Sequence, residues 1–301
     1  MSNVHYIGID LGGTNIKGLA LTSTGRVIEE QIAETGSYGG RGWIKNVEEV
    51  LSKLRDQIGS EPTAIGLAAP GLAASDNRSI AFMPERLPGL EGLDWQKRFR
   101  HPAPVPIVND AHAALLGEVW RGAARDCRNV FLLTLGTGVG GAAIVDGKLL
   151  RGHIGRAGHF GHLSLDPDGA RDITGTPGSL EDAIGNSTIG RRTDGRFSST
   201  RELVVAVRKG DRLAKKVWLT SVRALAAGVA SLINALDPEV VILGGGITKA
   251  GRALFNPLAR LLTEFEWRPG GSRARIVRAK LGERAGAFGA AWQAMQGVEM
   301  K

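Results

Sequence analysis

Cysteine is nearly absent: Cys127 is the single thiol in 301 residues. One thiol excludes an internal disulfide framework and points to a reducing compartment. No apolar run approaches the ~18 residues of a membrane span. A strand-like segment begins almost at Met1 and leaves no room for a leader peptide, so the cytoplasm is the expected location. A block of basic residues is also missing, although the net charge is +8 and the pI about 9.9. The densest stretches, Arg191 to Arg201 and Arg268 to Arg284, are interleaved with Gly, Ser and Glu. That dispersion reads as a solvated basic surface, with neither nucleic acid nor membrane as a partner.

Glycine is the residue in excess. Its 43 copies stand well above the usual ~7% of residues. They gather at a few loops, marking places where backbone approaches something closely. Val4 to Ile9 reads as a strand and Asp10 to Thr14 as a glycine turn. Ile16 to Leu21 and Arg26 to Ile32 return as strands, giving a β-meander. Apolar residues from Trp43 to Ile58 recur at helical spacing. A strand at Ala64 to Ala68 runs into Ala69-Pro70-Gly71, and Pro84 to Gly92 is a loop. Val105 to Val108 reads as a strand and Ala111 to Trp120 as a helix.

The layout then repeats, with strand Val130 to Leu135, glycine turn Gly136 to Gly141 and strand Ala142 to Val145. Asp146-Gly147 is a hairpin turn signal before Lys148 to Leu150. A polar insertion spans Arg151 to Thr176 and two helices follow, the second carrying Leu225, Val229, Leu232 and Leu236 on one face. Strand Val240 to Leu243 leads into Gly244-Gly245-Gly246. Strand Arg275 to Ala279 and an alanine-rich helix from Ala285 to Met295 close the chain. Two units of one layout predict a duplicated α/β architecture with a cleft. Ligands of α/β folds gather at the carboxyl ends of strands, where all three glycine clusters fall.

The segment Asp10-Leu11-Gly12-Gly13-Thr14-Asn15-Ile16-Lys17 carries the first chemistry. Two glycines let N–H groups curl around an anion, while Thr14 offers a hydroxyl and Lys17 a positive charge. Asp10 at the strand end suits hydrated Mg²⁺, which takes few carboxylates and keeps its waters. The plain alternative is a tight hairpin with an incidental Asp. Gly136, Gly138 and Gly141 satisfy G-x-G-x-x-G, yet that pattern needs a helix behind it. A strand and hairpin follow instead, so NAD is excluded and a second phosphate loop, with Thr137, is expected. Gly244, Gly245 and Gly246 either let a flat nucleoside lie against backbone or make a plain strand-to-helix turn. In Val108-Asn109-Asp110-Ala111, a carboxylate at a strand–helix junction can take a proton from an attacking hydroxyl. A helix N-cap is the rival role for Asp110.

Taken together, Asp10 to Asn15, Pro70-Gly71, Asn109-Asp110-Ala111, Leu135 to Gly141, Gly161-His162, Leu180-Glu181 and Leu243 to Gly246 form one ordered set. In order and rough spacing, over nearly the whole chain, it resembles the ROK family of sugar kinases and repressors. The resemblance implies an actin/hexokinase-like α/β fold, a duplicated ribonuclease-H-type core in two lobes with an interlobe cleft. It implies an N-terminal lobe over 1–118, a C-terminal lobe over 119–284 and a helix over 285–301 packing back on the first. ATP, Mg²⁺ and a sugar are the implied ligands, in a homodimer. Asp10, Gly12, Gly13, Thr14, Asn15 and Lys17 would serve the first phosphate loop, with Mg²⁺ held through water on Asp10. Gly136, Thr137 and Gly138 would serve the second loop, and Gly244 to Gly246 the adenosine. Gly71, Asn109, Asp110, His159, His162 and Glu181 would surround the sugar, with Asp110 as the base.

The chain also departs from the family. Many members hold a structural zinc with one histidine and three cysteines, but Asp166 to Glu181 contains no cysteine. Without thiolates no zinc site is expected; His153, His159, His162 and Asp166 read as polar loop residues and sugar contacts. His159 stands where the family has a glutamate on sugar hydroxyls. A carboxylate accepts two or more hydrogen bonds, whereas neutral imidazole accepts one and donates one. The preferred sugar is therefore expected not to be simply glucose with the usual contacts; the plain alternative is that His159 serves the same hydroxyl as the glutamate. In the loop Met83 to Gly89, Glu85 and Arg86 are either cleft residues or solvated charges. Three rival functions are open to such a chain. A repressor needs a DNA-binding segment, and only nine residues precede Asp10. A sugar-binding protein without activity has no use for both Asp10 and Asp110. A kinase with polyphosphate as donor fits the basic surface.

Overall fold

The computed structural model describes residues 5–36, 40–83 and 87–299. The readings on Val4, Glu85 and Arg86 lie outside these described residues. The chain divides into two compact units. One takes residues 1–126, 151–157 and 280–301, and the other takes 127–150 and 158–279.

The first unit opens with β1 (His5–Leu11), β2 (Asn15–Thr22), β3 (Val27–Glu34), α1 (Gly42–Ile58) and β4 (Ala64–Ala69). It continues through β5 (Leu72–Ala73), β6 (Ile80–Phe82), α2 (Trp95–Phe99), β7 (Ile107–Asn109) and α3 (Asp110–Arg121). Its main sheet has the order β3-β2-β1-β4-β7. The meander pairs antiparallel, and β1, β4 and β7 run parallel. Strand alternation sends Ile7, Ile9 and Leu11 to one face, into a core with Val47, Leu51 and Leu54 of α1. Tyr6, Gly8 and Asp10 therefore take the opposite face.

The second unit holds β8 (Val130–Leu135), β9 (Val139–Val145), β10 (Lys148–Leu149), α4 (Leu180–Ile184), α5 (Ile189–Arg192), α6 (Thr200–Arg208) and α7 (Arg212–Leu236). Then come β11 (Val240–Gly244), α8 (Arg252–Phe265) and β12 (Arg275–Arg278). Its sheet order is β10-β9-β8-β11-β12, antiparallel through β8, β9 and β10 and parallel through β8, β11 and β12. Strand order and sense repeat those of the first unit, so the duplication expected from the glycine turns is present in the topology. Helix α7 is long and apolar enough to cross a membrane by length and composition. The sequence reading of no such run overlooked it because polar residues punctuate the stretch. Trp218, Val222, Leu225, Val229 and Leu232 place it in the core of this unit.

Helix α9 (Ala285–Glu299) returns to the first unit and lies on the face of the sheet opposite α1. It comes unusually close. Gly8 and Gly66 are partners in the β1–β4 register. A Cβ at either would run into a carbonyl of α9, that of Ala287 or of Ala290. Across the other contact, a Cβ on Gly117 of α3 would meet the Ala285 carbonyl, and one on Gly289 would meet the Ala113 carbonyl. Part of the glycine excess thus serves to seat a helix. The small side chains of α9 have the same cause.

Several elements differ from expectation, beginning with α4, α5, α6 and α7, where the sequence reading expects two helices. The second glycine turn is confined to 136–138, because Val139, Gly140 and Gly141 already pair with Leu135, Thr134 and Leu133. Helix α8 has no counterpart in the sequence reading, which assigns no element between Gly246 and Arg275, and Pro257 falls inside it. Proline has no N–H for the carbonyl four residues back. That carbonyl, of Ala253, instead accepts the indole N–H of Trp218 at 2.8 Å. Leu254, Leu258 and Leu262 are buried at helical spacing around it.

Candidate active site

Within the first unit, the turn between β1 and β2 is held from behind. The hydroxyl of buried Thr35 donates to the Gly12 carbonyl at 2.7 Å, and its N–H donates to Thr14 at 2.8 Å. Gly12 N–H closes the turn on the Asn15 carbonyl at 3.0 Å. Gly13, Thr14 and Asn15 are left exposed. The sequence offered no sign of Thr35, whose role comes from β3 lying beside the turn.

Asp10 and Lys17 face each other in the β1–β2 register. Lys17 pairs with Glu283 at 2.8 Å, so it reaches this unit's C-terminal segment as well as the turn. The carboxyl of Asp10 is pushed up to about 7, first by burial and then by the Asp110 charge, with Lys17 pulling the other way. The first turn of α9 adds to the crowding: a Cβ on Gly286 would strike the Asp10 carboxylate.

The segment Asn109-Asp110 resolves the choice of cap. Asn109, not Asp110, is the N-cap of α3; its side-chain oxygen accepts from the N–H groups of Ala111 at 2.9 Å and His112 at 3.2 Å. Its amide donates to the Gly71 carbonyl at 3.0 Å, which ties the Pro70-Gly71 turn to the start of α3. One amide hydrogen of this buried side chain is left for another acceptor. Asp110 is the first residue of the helix and is exposed, with Oδ1 taking the Ala111 N–H at 2.8 Å.

Within the second unit, the 136–138 turn is strapped by the segment after α4. Asn186 and Ser187 donate backbone N–H bonds to the carbonyls of Gly136 and Thr137, both at 2.9 Å. Glu181 of α4 accepts the Val139 N–H at 2.8 Å, and a Cβ on Gly138 would collide with that carboxylate. On the other side of Val139, Gly161 lies against its carbonyl with no room for a side chain. The 136–138 turn, Glu181 and the turn carrying His162 are therefore brought together. Gly245, at φ +83°, is pressed on the Leu135 backbone that leads into the same turn. The second and third glycine clusters are neighbours at the ends of β8 and β11.

His162 bonds through Nδ1 to Asp172 at 2.7 Å. His159, half-buried, caps the short helical turn at Phe160–His162, its carbonyl taking the His162 N–H at 3.2 Å. Among the described residues, no group of three or more His, Cys, Asp and Glu side chains is arranged to hold a metal ion.

Residues 6–296 match the sequence profile of the ROK family. A glucokinase of Thermotoga maritima is 32% identical over 97% of this chain and 97% of its own length. The crystal structure of a ROK hexokinase from Thermus thermophilus superposes with a TM-score of 0.88 at 31% identity, covering 99% of this chain and 100% of that one. A ROK family glucokinase from Streptomyces griseus, solved with glucose and AMPPNP, gives 0.79 at 29% identity over 97% of this chain and 99% of its own.

Proposed function

The chain belongs to the ROK family, and on that premise we propose that it transfers the γ-phosphoryl group of ATP to a sugar hydroxyl, with Asp110 as the base. One observation carries the assignment. Asn109 takes over the capping of α3, which leaves Asp110 exposed at the junction beside a second carboxylate, Asp10. Two carboxylates that crowd each other serve different tasks when one accepts a proton and the other faces a cation.

The residues fit Mg²⁺. Asp10 is a carboxylate whose ionised form is disfavoured by burial and by Asp110, and a divalent charge relieves both. Mg²⁺ binds through one or two carboxylates plus water and phosphate oxygens, so Asp10 would hold it. Bound there, it would neutralise charge on the transferring phosphoryl group.

The chain's own groups do the rest. The backbone at 12–15 and 136–138 binds phosphate oxygens, and Gly244 to Gly246 offers backbone to the adenosine. The spare amide hydrogen of Asn109, His162 and Glu181 orient the sugar. Asp110 draws off the hydroxyl proton as that oxygen attacks in line. Catalysis of this kind is mostly positioning and charge stabilisation. AMPPNP in the Streptomyces griseus structure supports ATP as a donor. His159 in place of the family's glutamate supports a sugar other than glucose. A cytoplasmic homodimer completes the reading, with sizing by light scattering as its check.

The test is ADP release from Mg-ATP across hexoses, N-acetylhexosamines and ketoses, with polyphosphate as a competing donor. Turnover on one sugar class with ATP supports the assignment. Sugar binding with no turnover from either donor would replace it with a sensing protein.

A further inference from the structure

Among the polar side chains of the second unit, Asp172 has an unusual setting. It lies in the loop between the 160–162 turn and α4, and its side chain is 0% exposed. Its Oδ1 accepts from the Thr174 N–H at 2.8 Å, the Thr174 hydroxyl at 2.8 Å and the Thr176 N–H at 2.9 Å. Its Oδ2 faces Nδ1 of His162 at 2.7 Å. The loop closes around it through backbone bonds from Asp172 to Thr176, Gly175 to Asp172, Leu165 to Gly178 and Leu180 to Leu163, all at 2.9 Å.

Three donors already point at Oδ1, so no proton has room there. Burial alone would raise the carboxyl's pKa, but the bonds from His162, Thr174 and Thr176 outweigh it and hold the group well below the usual carboxylate range. An ionised carboxylate has no hydrogen to give, so Nδ1 of His162 is the donor. The other ring nitrogen then has its role fixed, because a neutral imidazole carries one proton. Among the described residues only Nδ1 of this ring takes a hydrogen bond, and the side chain keeps 27% exposure. The backbone that carries the ring is fixed too, with Gly161 pressed on the Val139 carbonyl of β9.

We propose that Asp172 is a positioning residue that locks His162 with its proton on Nδ1, so that Nε2 is presented to the substrate as a hydrogen-bond acceptor. What Nε2 meets, a sugar hydroxyl, rests on the sugar-kinase reading; the tautomer does not. An acceptor at that point selects a hydroxyl that donates, and a ring free to change tautomer loses this discrimination. The loop without thiolates thus orients its histidine by hydrogen bonds.

The test uses the whole chain with ¹⁵N-labelled histidine. The His162 ring signals are assigned by their loss in His162→Gln, and tautomers are read from the ¹⁵N shifts above neutral pH. Nδ1 pyrrole-like and Nε2 pyridine-like is the expected result; the reverse overturns the proposal whether or not the protein turns over sugar. In Asp172→Asn the signals should move toward a tautomer mixture. The KM for sugar should rise about 10- to 100-fold, as for other partners that orient a functional histidine, while the KM for ATP stays within about twofold. Thr174→Val removes one bond to Asp172 without touching His162, and should leave tautomer and sugar KM unchanged. Equal effects from both variants would mean Asp172 only holds the loop, and would overturn the proposal. If the wild type turns over no sugar, the kinase reading fails and the tautomer measurement still decides this one.

Discussion

Asp10 is the residue whose surroundings work against its charge. In the unfolded chain it ionises near its ordinary value of 3.8, and in the fold it is pushed up to about 7. Between those values the native state holds a proton that the unfolded chain has lost. The stability it contributes is therefore complete below about pH 4 and is lost as pH rises through about 7. At ~1.4 kcal/mol per unit, the ceiling of this loss is roughly 4 kcal/mol. Asp10→Asn should remove the dependence. Melting curves without Mg²⁺ should find wild type and variant alike near pH 4, with the variant the more stable at pH 8. A wild-type advantage at pH 8 would contradict the raised value. Mg²⁺ acts in the opposite sense, since it favours the ionised form, so it should narrow the gap at pH 8.

At the scale of elements, the seat of α9 joins stability to function. Gly8 and Gly66 let the helix reach the sheet, and Gly286 lets its first turn reach Asp10. The two sets should respond differently to alanine. Gly66→Ala drives a methyl group into the Ala290 carbonyl and should destabilise by about 1–3 kcal/mol, as overpacking does. Gly286→Ala adds a better helix former but displaces the Asp10 carboxylate. It should keep the melting temperature within a few degrees and lower kcat tenfold or more. A Gly286→Ala enzyme of full activity would mean Asp10 is not held where the account needs it. The loop over 163–179 gives a second prediction. Asp172 does there what a metal would otherwise do, so prolonged treatment with a zinc chelator, with Mg²⁺ restored, should leave melting temperature and sugar KM unchanged. A loss of either would reveal a metal.

These elements also mark the limit of what is legible in the sequence. The two glycine turns are local features, written by glycine between strand-like runs, and were readable, although the second ends at 138 and not at the expected 141. The division of labour between Asn109 and Asp110 was not, because either residue makes a good cap and only the backbone decides. Helix α8 was hidden by Pro257, whose lost bond is made good by Trp218 from another helix. Gly8 and Gly66 look like any other glycines until α9 lies over them. Asp172 is one polar residue among many in its loop, and its bond to His162 spans ten positions. What a residue does for its neighbours in sequence can be read; what it does across the fold needs the fold.

For the whole molecule, the repeated sheet order explains why chemistry-bearing turns occur in matched places. Each unit presents a glycine turn after the first strand of its sheet. The first unit adds the two carboxylates, and the second adds Glu181, His162 and the Gly244 to Gly246 cluster. The basic balance of +8 is spread over many side chains and is compatible with anionic nucleotides without naming one. Asp110 is the residue on which phosphoryl transfer depends in this proposal. The direct measurement is sugar-dependent ADP formation by wild type and Asp110→Asn, alongside sugar binding by calorimetry. Loss of about 10³-fold or more in kcat, with sugar affinity kept within about tenfold, is the predicted result for a missing base. A variant that still turns over at a rate near wild type would contradict the assignment of Asp110.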